Sequence, residues 1–384
     1  PWQSFEKTAQ SNRHTVNDSC TIMMKISFLV PNGRSLSGGD RVVASHADHL
    51  RRQGHEVRLF APAPRQETLR EKIRRFRRGG GWRQSPPAEN HFTSVGLNIE
   101  FLESHRPIVS EDLPDADIVI ATWWLTAEWM TELEASKGTK VHFIQGYEIF
   151  PYLPVERVKE VYNKPFYKIV VSKFILNFMR NRHQADRIAL VPNGVDTGVF
   201  KPPTVRGRNS LFTLGFLHSN TPVKNMALVS SIIDRVRDAD PSIRTRAFGA
   251  AHPRLAKDLP EGVDYETQPP QSRIPEIYAS CDAWLFTSTS EGFGLPILEA
   301  MACGTPVLAT SAGAAPELLA EGGGRLLPAD PEAFVDALLA LRDAPEETWM
   351  EMSAQARAIA ERHDWARSHE LFEAALEDAL ARTC

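Results

Sequence analysis

Read for apolar and polar positions, the chain switches repeatedly between short β-rich runs and longer stretches with helical spacing. KISFLVP (25–31) is a near-continuous apolar run, as expected of a strand buried on both faces. Gly38-Gly39 opens a stretch carrying Val42, Val43, Ala47 and Leu50 at helical spacing. Gly54 closes that helix, and EVRLFAP (56–62) returns as a second strand. Further strands are expected at DIVIATW (117–123), KVHFIQG (140–146), KIVVS (168–172) and IALVPNG (188–194). After KPPTVRGRN a second series begins, with strands at SLFTLGF (210–216), IRTRAFG (243–249), AWLFTS (283–288) and PVLAT (306–310). Helices intervene, and two helical stretches follow from Pro331 onward. Strands alternating with helices predict an α/β fold with parallel sheets. Two such series joined near residue 200 predict two Rossmann-like domains facing a cleft, without a sequence repeat between them.

Length supports this division, since 384 residues exceed one ordinary hydrophobic core. The apolar share of 42% and charged share of 24% are those of a globular chain, and a net charge of −4 argues against a general nucleic-acid binder. Four scattered cysteines (Cys20, Cys281, Cys303, Cys384) show no metal-ligand spacing and suit a reducing cytoplasm. No apolar run reaches the roughly 18 residues of a membrane-spanning helix, so membrane contact is expected to be peripheral. Residues 1–23 read as a polar leader, either a linker from an upstream module of a larger protein or a cloning boundary. The basic segment 65–83, which includes glycines at 79–81, reads as a solvated insertion or as a patch for anionic headgroups at the inner face of the cytoplasmic membrane.

Chemistry concentrates in SEGFGLPILEAMACGTPVLAT (290–310), between a strand and a helix at the carboxyl edge of the second sheet. Gly292 and Gly294 leave the backbone free for close approach, and Pro296 suits a first helical turn. The amides of Phe293, Gly294 and Leu295 then point at an anion, aided by the helix dipole. Glu291 precedes the turn and Glu299 lies about one helical turn beyond its start. Two carboxylates on either side of a diphosphate suit hydroxyls at both ends, the layout of a nucleotide sugar. A charge-assisted hydrogen bond of this kind is worth roughly 1.5–3 kcal/mol. A second reading stays open at this point, in which Glu299 is a helix residue paired with a nearby cation.

The segment resembles the signature of retaining glycosyltransferases of family 4, which have the GT-B fold. The resemblance extends over nearly the whole chain from residue 24, including NGRSLSGGDRVVASHADHLRRQGHEV, VPNGVDTGVF, SAGAAPELL and the closing DWARSHELFEAAL. It implies an N-terminal acceptor-side domain (24–200), a nucleotide-sugar-binding domain (201–365) and a helix (366–384) packing back on the first. It also implies that Glu299 binds ribose hydroxyls, that Glu291 binds donor hexose hydroxyls, and that Gly39 approaches the donor phosphate. Lys224 fits the family's phosphate-binding lysine, while the arginine position reads Phe216; His218, Asn220 or an arginine from elsewhere in the chain are candidates to compensate. A surface lysine is the alternative for Lys224. Where many relatives carry a histidine near the reacting sugar this chain has Gln145, with Tyr147 and Glu148 next to meet acceptor or donor sugar. Glu148 reads equally as a loop carboxylate in solvent. Base recognition is expected in YETQPPQSRIPEIY (265–278).

The resemblance implies retaining transfer of a hexose or deoxyhexose from a GDP-, UDP- or dTDP-linked donor, with no obligatory cofactor or metal. The expected acceptor is a glycan or polyprenyl-linked glycan, in bacterial surface polysaccharide or lipopolysaccharide synthesis. Two other readings are a non-catalytic domain, donor-binding or scaffold, of a larger glycan-assembly protein and a GT-B-like nucleotide-sugar epimerase.

Overall fold

A computed structural model describes residues 23–34, 37–65, 69–70, 72–73, 90–150 and 152–382. Nearly all of the leader, most of the basic segment, Cys20 and Cys384 lie outside the described residues.

Among the described residues, seven strands form a first parallel sheet in the order β3-β2-β1-β4-β5-β6-β7. In chain order these are β1 Lys25–Leu29, β2 Glu56–Ala61, β3 Ile99–Phe101, β4 Ile118–Ala121, β5 Thr139–Ile144, β6 Tyr167–Val170 and β7 Ile188–Leu190. The helices around it include α1 Gly38–Arg52, α2 Trp124–Met130, α3 Val155–Tyr162 and α4 Lys173–His183. A second parallel sheet has the order β10-β9-β8-β11-β12-β13. It comprises β8 Thr213–His218, β9 Arg244–Gly249, β10 Asp264–Thr267, β11 Ala283–Phe286, β12 Val307–Ala309 and β13 Gly324–Leu326. Its helices are α5 Met226–Ala239, α6 Ile274–Ala279, α7 Leu295–Ala302, α8 Ala315–Leu318, α9 Pro331–Asp343 and α10 Glu346–Glu361. A last helix, α11 Trp365–Ala381, returns to the first domain.

Burial on both faces explains the unbroken apolar runs of the inner strands. Ile118 and Ile120 of β4 join one apolar cluster while Val119 and Ala121 join another on the opposite face. In the second sheet Trp284 and Phe286 face the first cluster, whereas Leu214, Phe216, Ala283 and Leu285 face a separate one. The first cluster runs from Phe28 and Phe143 through Phe372 into Phe293 and Ile297, so the two domains share buried surface.

The chain crosses between domains twice, side by side. Val195 N–H donates to the His363 carbonyl at 2.9 Å, and Val195 pairs with Asp364. A Cβ on Gly194 would lie 2.6 Å from the Trp365 backbone, so only glycine permits this approach. Arg357 ties the crossing to the second domain by donating to the carbonyls of Thr197, Phe200 and Ala302 at 2.7–3.1 Å. Beyond it, α11 docks through Ser368 to Pro192 O (2.6 Å) and Tyr167 to Asp378 (2.6 Å).

In both sheets the winding reverses beside the first strand: β1 lies between β2 and β4, and β8 between β9 and β11. Ligands of open α/β sheets bind outside the strand ends at such reversals. The loop from β1 into α1 and the loop from β11 into α7 both leave from these points.

Candidate functional site

The turn into α7 is built by glycines pressed against the first domain. Gly294, at φ +103°, caps the helix in the left-handed region, and a Cβ there would sit 3.1 Å from the Phe286 ring. A Cβ on Gly292 would lie 1.6 Å from the Gln145 carbonyl oxygen. Ser172 Oγ donates to the Gly292 carbonyl at 2.7 Å, closing the turn from the other domain. Phe293 is buried, its carbonyl accepting from Ala314 N–H at 2.8 Å. Leu295 begins the helix, and a Cβ on Gly38 would come 3.3 Å from its side chain. Gly39 lies beside the Gln145 amide, 3.5 Å from where its own Cβ would stand. The amino ends of α1 and α7 therefore face each other across the cleft. Two positive dipole ends in this arrangement favour an anion between them.

Both carboxylates flank that junction, and each already holds a cation. Glu291 accepts from Lys224 Nζ at 2.5 Å and from Ser288 Oγ at 2.7 Å. Lys224 reaches it because the strand-end residues bind the loop that carries it. Thr289 N–H donates to Val223 O at 2.8 Å and Thr287 Oγ1 to Lys224 O at 3.0 Å. Buried Glu299 accepts from the Tyr278 hydroxyl at 2.8 Å and from the guanidinium of Arg41, which reaches across from α1. Burial works against the Arg41 charge, but Glu299 more than offsets it and the guanidinium pKa is raised. Burial likewise lifts the Tyr278 phenol well above its ordinary value. The pairing of Glu299 with a nearby cation is thus realised, at the position where the resemblance implies a ribose. Lys224 holds a carboxylate of the cleft and is not a solvated surface lysine.

The remaining residues singled out in the sequence fall into two groups. Gln145 stands at the junction beside Gly39 and Gly292. Tyr147 turns into the first domain, its ring 4.6 Å from Phe178 and its hydroxyl 3.4 Å from His183 Nε2. Glu148 is buried, which corrects the reading of it as a solvated loop carboxylate. It accepts from the Trp124 N–H at 3.0 Å at the start of α2, and burial pushes its carboxyl up to about 8. Asn220 has both ends of its amide on the 255–257 loop, donating to Leu255 O and accepting from Lys257 N–H at 2.9 Å. His218 Nε2 lies 2.8 Å from Lys257 O. Phe216 lies inside β8 and packs in the second-sheet core, since the strand runs on to His218. Arg41, Tyr278 and Ser288 were not picked out from sequence, because their partnership with the two glutamates exists only in the folded chain.

Two doubly wound domains with their winding reversals facing one another, and an acid-flanked glycine turn between them, define the GT-B class. Residues 36–199 match the family described as Glycosyltransferase Family 4, and residues 208–343 match Glycosyl transferases group 1. The chain belongs to glycosyltransferase family 4. It is 24% identical to a D-inositol 3-phosphate glycosyltransferase of Corynebacterium glutamicum, over 94% of this chain and 96% of that protein. It is 40% identical to O-antigen chain mannosyltransferase B of Escherichia coli over 94 residues, covering 24% of this chain and 23% of that one. Against three further relatives, among them an MMP alpha-(1->4)-mannosyltransferase of Mycolicibacterium hassiacum, the match spans only 36–51% of the relative's length. The fold is that of Anabaena HepE solved with UDP and glucose, at a TM-score of 0.69 and 18% identity over 92% of this chain and 99% of that one. Among the described residues, no helix is long and apolar enough to cross a membrane.

Proposed function

We propose that this chain is a retaining glycosyltransferase that moves a hexose or deoxyhexose from a nucleotide-diphosphate sugar to a hydroxyl of a glycan or lipid-linked glycan. The observation that carries this reading is the placement of Glu291 and Glu299 on either side of the Gly292–Gly294 turn, opposite the Gly38-Gly39 start of α1. Ribose hydroxyls would donate to Glu299 and sugar hydroxyls to Glu291, with the diphosphate between the facing helix ends and Lys224 beside it. The relatives named for mannosyl and inositol-phosphate chemistry support a polyhydroxylated acceptor. Bacterial surface polysaccharide synthesis at the inner face of the cytoplasmic membrane fits that acceptor class.

In the step proposed, the sugar–oxygen bond breaks with its electron pair left on the phosphate. An oxocarbenium-like centre forms, the acceptor oxygen bonds to the anomeric carbon on the same face, and its proton passes to the leaving phosphate. Stabilising charge on that phosphate is the main task of the site.

The test is calorimetric titration with UDP, GDP, dTDP and ADP, with Glu299→Ala as the comparison. One nucleotide is expected to bind and to weaken about 10- to 100-fold in the variant. Binding by none of them supports a scaffold and sinks the transferase reading; turnover of donor without acceptor into an epimer points to an epimerase.

A further inference from the structure

The charges at the facing helix ends do not suit the proposed occupant as they stand. A diphosphate arriving there meets Lys224, which is held by Glu291 at 2.5 Å. The rest of the second domain adds little, because Phe216 is in the core and His218 and Asn220 are engaged with Lys257 and Leu255. Arg41 is different. It sits one turn into α1 from Gly38, faces α7 one turn from Leu295, and ends on Glu299. Its Nε is buried with no hydrogen-bond partner. A guanidinium presents five donors in a rigid fork suited to phosphate, and a buried unpaired N–H is costly. Ribose hydroxyls donating to Glu299 would take the place the guanidinium now fills. A guanidinium released from Glu299 would remain by the starts of α1 and α7, where the diphosphate is proposed to lie.

We infer that Arg41 is the second diphosphate-binding cation of this enzyme, supplied by the first domain, and that it passes from Glu299 to the leaving phosphate when the donor binds. This inference rests on the donor-site reading above. It also ties charge stabilisation to domain closure, since Lys224 comes from one domain and Arg41 from the other.

Whichever of UDP, GDP, dTDP and ADP binds the wild type is titrated together with its plain nucleoside, against wild type, Arg41→Ala and Arg41→Lys. The expected result is a loss of about 10- to 100-fold for the diphosphate in Arg41→Ala, with nucleoside binding unchanged or tighter because Glu299 is freed. Arg41→Lys keeps the charge without the fork and should recover part of the loss; it also stands in if Arg41→Ala does not fold. An equal loss for both ligands would overturn the inference, leaving Arg41 a residue that only shapes Glu299. Unchanged or tighter diphosphate binding would overturn it too, leaving Arg41 a competing latch. If no diphosphate binds wild type, or Glu299→Ala binds as wild type does, the donor-site reading fails and the role of Arg41 with it.

Discussion

Glu148 shows how far burial changes a single carboxyl. Its side chain accepts one backbone N–H, from Trp124, and its pKa stands near 8 against an ordinary 4.5. Between those values the folded chain holds a proton that the unfolded chain has released. Stability from this group is therefore fully present below about 4.5 and is lost as pH rises through about 8. Glu148→Gln keeps an acceptor for the Trp124 N–H and removes the titration. Its stability relative to wild type, followed by urea unfolding, should rise from pH 5 to pH 8; a constant difference would show that Glu148 is ionised in the folded protein. Sequence placed Glu148 beside Gln145 but not inside the domain, because its neighbours Tyr162 and Trp124 arrive from other elements. The same limit hid Arg41, which is 258 positions from Glu299.

At the scale of elements, the site is two helix starts and a glycine turn held against one another. Gly292 is the tightest point, where an added methyl would lie 1.6 Å from the Gln145 carbonyl. Gly292→Ala must push the domains apart there, and a misplacement of about 1 Å can lower a rate by around 10²-fold. Transfer should fall by about that factor while each domain unfolds near its wild-type temperature. Small-angle scattering should show a more open molecule; wild-type activity would mean that closure does not need this contact. This turn was legible because the glutamates, the glycines and Pro296 lie in one short stretch. Inner strands were legible through runs such as IVIA of β4 and AWLF of β11, buried along their whole length. The strands not anticipated, β3, β10 and β13, are all short edge strands with half-exposed residues. Their identity comes from pairing with a neighbour, which no local pattern records. Segment 265–278, expected as a base-binding loop, contains most of β10 and α6 and supplies the buried Tyr278 that holds Glu299.

Across the whole molecule, α11 makes the first domain depend on the far end of the described chain. Phe372 is buried, stacked on His46 at 4.1 Å and edge-on to Phe143 at 5.0 Å, with Leu376 buried nearby. Phe372→Ala should destabilise the first domain by about 3–5 kcal/mol. Calorimetry would show an earlier transition for that domain with the second domain's transition in place; one unshifted transition would reject this division. The double crossing has a further consequence, in time rather than space. The second domain is one continuous stretch, whereas the first is assembled from residues before the crossing at Val195 and from α11 after it. On the ribosome at about 5–20 residues per second, some 10–40 seconds separate synthesis of β7 from synthesis of α11. The domain made first is therefore completed last, and until then its surface for α11, with His46 and Phe143 at the centre, waits uncovered for chaperones or for neighbouring nascent chains.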